Sequence, residues 1–136
     1  MKKLIIDANV ILRFLRADHP EHFAAASKLF EQAESGKVRL VLLAPVLAEV
    51  VFVLTSVYEC GRKEIAEALQ PFLFHGGIDC PESAVLADAL KRFASTKIDL
   101  MDCYVAAAAV ASDYAVCSFD RDFRKFSDID WQQPGS

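Results

Sequence analysis

Apolar residues along this chain follow two rhythms. Short apolar or strand-like runs alternate with longer stretches in which apolar positions recur every three or four residues. The first rhythm predicts buried strands at 3–7, 38–43, 78–80 and 114–118, and a short edge strand at 129–131. The second predicts helices. One covers 9–16. Asp18-His19-Pro20 supplies a cap and a proline suited to a helix start, and Phe23, Ala26, Phe30 and Ala33 keep helical spacing until Gly36. Pro45 opens a helix to about 58 with two largely apolar faces, Val46, Val50, Leu54 and Val57 on one and Phe52 and Val53 beside Glu49 and Ser56 on the other. Such a helix calls for two partners. Beyond Gly61, an amphipathic helix over about 62–73 directs Ile65, Leu69 and Phe72 inward, and Gly76-Gly77 makes a turn. Pro81 begins a helix carrying Val85, Leu86, Ala89, Leu90 and Phe93. Asp99 caps the next, about 100–112, whose alanines at 106–109 allow close packing on a sheet. Residues 119–126 read as a turn with a helical stub.

Alternating short strands and amphipathic helices predict an α/β fold with a parallel sheet of four to five short strands flanked by helices. The length of 136 residues fits one core, so a single domain is expected over 1–131, with a short flexible tail at 132–136. An apolar content of 54% with only five glycines and five prolines excludes a disordered or collagen-like chain. The longest apolar run, Leu40 to Ala48, has nine residues, whereas a membrane span needs about 20. Asp7 cuts the apolar stretch that follows Met1-Lys2-Lys3, so the start does not read as a signal peptide, and a cytoplasmic protein is expected. Cys60, Cys80, Cys103 and Cys117 lack any C-x-x-C spacing and read as reduced packing residues.

The net charge of −4 excludes a generally basic surface for nucleic acid. Its distribution changes that picture. If carboxylates converge on divalent cations, their charge is neutralised locally, and Arg13, Arg16, Arg62, Lys63, Arg121, Arg124 and Lys125 are left to face a polyanion. Ligands of open α/β sheets bind beyond the carboxyl ends of the strands. Asp7 ends the first strand and Asp120 follows the fourth, while Glu49 and Asp102 lie in early turns of helices. Carboxylates that close together repel, so they bind a proton or a cation. Oxygen-only ligands favour magnesium or manganese, and such ions serve phosphodiester hydrolysis by activating water and neutralising the phosphate.

Plainer readings exist for each residue. Asp7 can merely end a strand, Glu49 can complement a helix dipole, Asp99 and Asp102 have capping-box spacing, and Asp120 or Asp122 can cap the stub before Phe123. A capping role suffices for Asp99. His19 and His22 lack a third zinc ligand, and His75 reads as a turn residue. Arg121, Arg124 and Lys125 make either a solvated face or an RNA-backbone contact.

Asp7-Ala8-Asn9-Val10, Glu49 within Pro45-Val46-Leu47-Ala48-Glu49-Val50, Asp102 within Asp99-Leu100-Met101-Asp102-Cys103-Tyr104, and Ser118-Phe119-Asp120-Arg121-Asp122-Phe123 resemble in order and spacing the PIN domain, most closely the VapC-type toxin ribonucleases. The resemblance spans essentially the whole chain, with Ser118 where threonine is commoner. It implies a three-layer PIN-like fold and a magnesium- or manganese-dependent endoribonuclease that leaves 5′-phosphate and 3′-hydroxyl ends. It also implies a homodimer and a VapB-type antitoxin whose C-terminal segment crosses the active-site groove. Carried over, Asp7, Glu49, Asp102 and Asp120 are the catalytic and metal-site acids, and Asn9 and Ser118 are polar support, with Asp99 and Asp122 as further candidates. Arg13, Arg121, Arg124 and Lys125 are the candidate RNA contacts. The alternatives are a PIN nuclease of RNA maturation, an idle PIN-like binding module, and a phosphoacceptor domain. The last is disfavoured because Asp7 is followed by Ala8 and Asn9 rather than a second acid.

Overall fold

The structure, a computed structural model, describes residues 1–135. Its elements run β1 (Lys2–Ile5), α1 (Ala8–Arg16), α2 (Pro20–Glu34), β2 (Val38–Val41), α3 (Ala44–Ser56), α4 (Arg62–Phe74), β3 (Ile78–Asp79), α5 (Ser83–Ser95), α6 (Leu100–Ser112), β4 (Val116–Cys117), a 3-10 turn (Arg121–Lys125) and β5 (Trp131–Gln132). Local chemistry sets several boundaries. The Asp7 carboxylate accepts the Val10 N–H at 3.3 Å and caps α1. At α2 the cap is an imidazole: His19 Nδ1 accepts the His22 N–H at 3.1 Å, and Pro20 opens the first turn. The α6 helix ends at Asp113 in the left-handed region, φ 58°.

All five strands are parallel, as the strand–helix alternation requires. They divide into two sheets rather than one, β1-β2-β3 in that order and a separate β4-β5 pair. Strand β4 is only two residues long, and its neighbourhood is paired to the C-terminal segment: the Val116 N–H donates to Asp130 O at 2.8 Å and the Ser118 N–H to Gln132 O at 3.0 Å. The same pairing makes Gln132, placed by sequence in a flexible tail, a strand residue. Ser136 of that tail lies outside the described residues.

Leu40 and Leu42, around β2, meet Ile11, Leu47, Ile65, Leu69 and Leu90 in one continuous apolar core. Aromatic rings fill its α1–α2–α4 side, Phe14 to Phe30 at 4.8 Å and Phe30 to Phe72 at 5.5 Å between centroids. Helix α6 packs chiefly on α5, where Ala106, Ala107 and Ala109 are buried. Two expectations from the apolar pattern require correction. The strands are not buried on both faces: Ile5 is 68% exposed, Leu43 is at the surface, and Arg39 on β2 bonds the Asp79 carboxylate at 2.7 Å. The two-faced helix α3 finds partners for Leu47, Val50, Val51 and Leu54, whereas Phe52 and Val57 remain exposed.

Polar side chains tie the two halves of the chain together. Arg62, counted by sequence among cations available to a substrate, donates instead to the carbonyls of Phe93 (3.1 Å) and Ile98 (2.7 Å), and its guanidinium lies 4.2 Å from the Phe93 ring centroid. Arg92, only 11% exposed at its side chain, bonds Asp88 at 2.9 Å and Asp128 at 2.9 Å and faces the Phe126 ring. It fixes the segment before β5 to α5.

Gly77 marks the tightest approach of the backbone. A Cβ at this position would lie 2.6 Å from the Ala33 carbonyl carbon and 2.9 Å from the Ala33 Cβ, at the end of α2. Gly77→Ala is therefore expected to lower unfolding stability by about 1–3 kcal/mol, as overpacking does, measured by urea denaturation. Gly76→Ala, with no atom that close, should change it far less.

Candidate metal centre

The first turn of α6 and the segment after β4 bring carboxylates together. Asp102, half-buried in the first turn of α6, is acted on by the negative charges of Asp120, Asp99 and Asp122. Its pKa is raised above the ordinary aspartate value. Burial is the largest cause, followed by the negative charge of Asp120, then that of Asp99, then the hydrogen bond with Asp120.

Short backbone bonds shape the Asp120 side. The Ser118 hydroxyl accepts the Asp120 N–H at 3.0 Å, and Asp120 Oδ1 accepts the Asp122 N–H at 2.8 Å, capping the 3-10 turn. Asp120 thus has a structural bond at one carboxylate oxygen. Asp122 pairs with Lys125 at 3.3 Å. Asp99 occupies the N-cap position of α6, yet its side chain makes no capping bond and is exposed. The capping role that sequence spacing assigns to it is not the one it plays; its charge acts on Asp102 instead.

Asp7 and Glu49 are both exposed, on the caps and early turns of α1 and α3. Among the described residues, no group of three or more His, Cys, Asp or Glu side chains is arranged to hold a metal ion. The acids that are brought together still suit a hard cation. They are all oxygen donors, the half-buried one has no basic partner, and magnesium is held by as few as one or two carboxylates with water completing its shell.

Arg121 and Arg124 are exposed on the 3-10 turn, with Arg124 Nε donating to Arg121 O at 3.2 Å. Arg13 approaches Asp18 at 3.5 Å, and together with Asn9 and His22 it lines a surface pocket of about 250 Å³ between α1 and α2. His19 and His22 stack at 3.7 Å, and the His75 ring accepts the Gly77 N–H, the turn role expected of it. All four cysteines are free thiols. The pattern of acids did not point to Arg92, Asp128 or Trp131, because the Arg92–Asp128 and Trp131–Ser118 contacts join segments distant in sequence.

A family model for the PIN domain matches residues 4–129, and the chain belongs to that family, whose members are generally nucleases. Its three-layer α/β/α architecture agrees with the helices and parallel strands described above. Among solved structures, VapBC2 from Rickettsia felis bound to a DNA fragment from its promoter aligns over 98% of this chain and 98% of that chain, at 15% identity and a TM-score of 0.37. No curated protein matches the sequence. No helix among the described residues is long and apolar enough to cross a membrane.

The carboxylate pair has a thermodynamic consequence. With its folded pKa above the unfolded value, Asp102 costs stability once pH rises through the folded pKa, and the cost disappears below the ordinary aspartate value of 3.8. Without divalent ions, Asp102→Asn is expected to raise the thermal midpoint at neutral pH, with the gain shrinking as pH falls toward 4. Asp18, Asp79 and Asp128 have the opposite sign: their pKa values are lowered, first of all by hydrogen bonds from Tyr58, Arg39 and Arg92 respectively, so their contribution is lost on acidification. A set of melting curves from pH 4 to 8 checks both limbs.

Proposed function

We propose that this PIN domain is a magnesium- or manganese-dependent endoribonuclease of the VapC toxin type. The observation that carries the reading is the Asp102–Asp120 pair, crowded further by Asp99 and Asp122, with a raised Asp102 pKa. A dication relieves that repulsion more completely than a proton does at neutral pH. When bound, it supplies Lewis acidity toward a scissile phosphate and toward water. Asp102 and Asp120 are its principal holders in this reading. The assignment of Asp7 and Glu49 to the same centre rests on the sequence motifs.

The other groups take supporting parts. The Ser118 hydroxyl and the Asp122 N–H hold Asp120 in place, and Asn9 lies two residues beyond the Asp7 cap, in the first turn of α1. Arg121 and Arg124, with Lys125 and Arg13, are the cations offered to the RNA backbone. The toxin assignment rests on the motif resemblance, which also brings a VapB-type antitoxin, a homodimer and a cytoplasmic location into the proposal. An apolar groove of about 350 Å³ between α3, α5 and α6, walled by Ala44, Pro45, Leu86 and Met101, is a place for a partner's apolar side chains. A second reading is the idle binding module named among the sequence alternatives.

Cleavage of RNA by the purified protein separates the two. The nuclease reading expects cleavage with Mg²⁺ or Mn²⁺, none with EDTA, and a loss of about 100-fold or more in Asp102→Asn and Asp120→Asn. RNA binding without metal-dependent cleavage would establish the idle module. Arg121→Ala and Arg124→Ala should weaken RNA binding across sequences and each reduce the slope of log affinity against log salt by roughly 0.7, the value for one phosphate contact on a single strand.

A further inference from the structure

Ser118 is the residue from which the Asp120 segment departs, and β5 holds both of its backbone polar groups. Its N–H donates to Gln132 O at 3.0 Å, and its carbonyl accepts the indole N–H of Trp131, also at 3.0 Å. Two consecutive residues of one strand therefore fix the position and tilt of this peptide. From there two further bonds follow: the Ser118 hydroxyl takes the Asp120 N–H and Asp120 Oδ1 takes the Asp122 N–H, and the negative charge of Asp120 acts on Asp102.

The indole is itself immobilised. Trp131 is half-buried against the core, and its backbone is paired opposite Val116. Five residues ahead of it the Phe126 ring is buried beside Arg92, which also grips Asp128. The Trp131 N–H has an acceptor in the fold, as a buried indole requires.

We infer that Trp131 is a positioning residue for the acidic pair, acting through its hydrogen bond to the Ser118 carbonyl. This rests on the proposed metal-binding role of Asp102 and Asp120. Phenylalanine at 131 keeps an aromatic ring and the strand pairing but removes the donor, which frees the peptide that orients Asp120.

The chain has a single tryptophan, so its fluorescence reports on this position alone. Two measurements test the inference. In the first, Mn²⁺ binding to wild type and Trp131→Phe is followed by electron paramagnetic resonance at a temperature where both are fully folded. The dissociation constant is expected to rise about fivefold in the variant, the equivalent of one net hydrogen bond. A residue that only packs would lower the thermal midpoint and leave this constant unchanged, and that result overturns the inference.

In the second, Mg²⁺ is titrated into wild-type protein while Trp131 emission is recorded. A saturable change with the midpoint at which Mg²⁺ displaces Mn²⁺ supports the coupling, and it should vanish in Asp102→Asn. Flat emission over a range in which Mn²⁺ does bind overturns it, and this arm decides the matter if the phenylalanine variant fails to fold. Wild-type protein that binds no Mn²⁺ overturns both this inference and the metal-dependent reading, whereas normal binding with an unaffected variant overturns this inference alone.

Discussion

Carboxylates crowded at the start of α6 impose the constraint around which the C-terminal third of this protein is organised. Asp102 is half-buried, and the charges nearest to it come from Asp120, Asp99 and Asp122. Placing acids together in this way costs folding free energy unless a proton or cation joins them. The surrounding structure has to hold them there against their repulsion. It does so with directional bonds from Ser118, β5 and the 3-10 turn rather than with basic partners for Asp102 itself.

The stability needed for this comes from elsewhere in the molecule. A continuous apolar core runs from the β2 leucines through α1, α3, α4 and α5. Two arginines connect that core to the site without touching it. Arg62 satisfies the carbonyls of the α5–α6 connection and so fixes where α6 begins. Arg92 joins α5 to the segment that leads into β5. Both arginines use planar, multi-donor contacts and aromatic faces, which a lysine would not reproduce.

Most of the fold was legible in the sequence because strand and helix rhythms are local properties. Phe23, Ala26, Phe30 and Ala33 identify α2 from their spacing alone, and Pro20 and Gly36 bracket it. The site was legible in part. Asp102 and Asp120 could be picked out as candidate acids by their places along an α/β chain, and the negative charge of Asp120 acts on Asp102 in the folded protein. The capping role read for Asp99 does not hold, because capping-box spacing is a local signal and its side chain makes no capping bond to α6. Arg62 was misread for a similar reason. Nothing near it in sequence reveals that its acceptors are the carbonyls of Phe93 and Ile98, more than thirty residues away.

The sequence by itself determined the order and type of the elements, the parallel sense of the strands and the identity of the acids, since these follow from periodicity, chain connectivity and residue chemistry. Only the tertiary structure decided how the strands share their edges. The backbone hydrogen bonds around β4 can go to one neighbour or another, and they go to the segment at β5. That choice separates the β4–β5 pair from β1-β2-β3 and makes Trp131 a neighbour of Ser118. Pairing of this kind is a competition among distant segments for the same donors and acceptors, and its outcome is not written in any one of them.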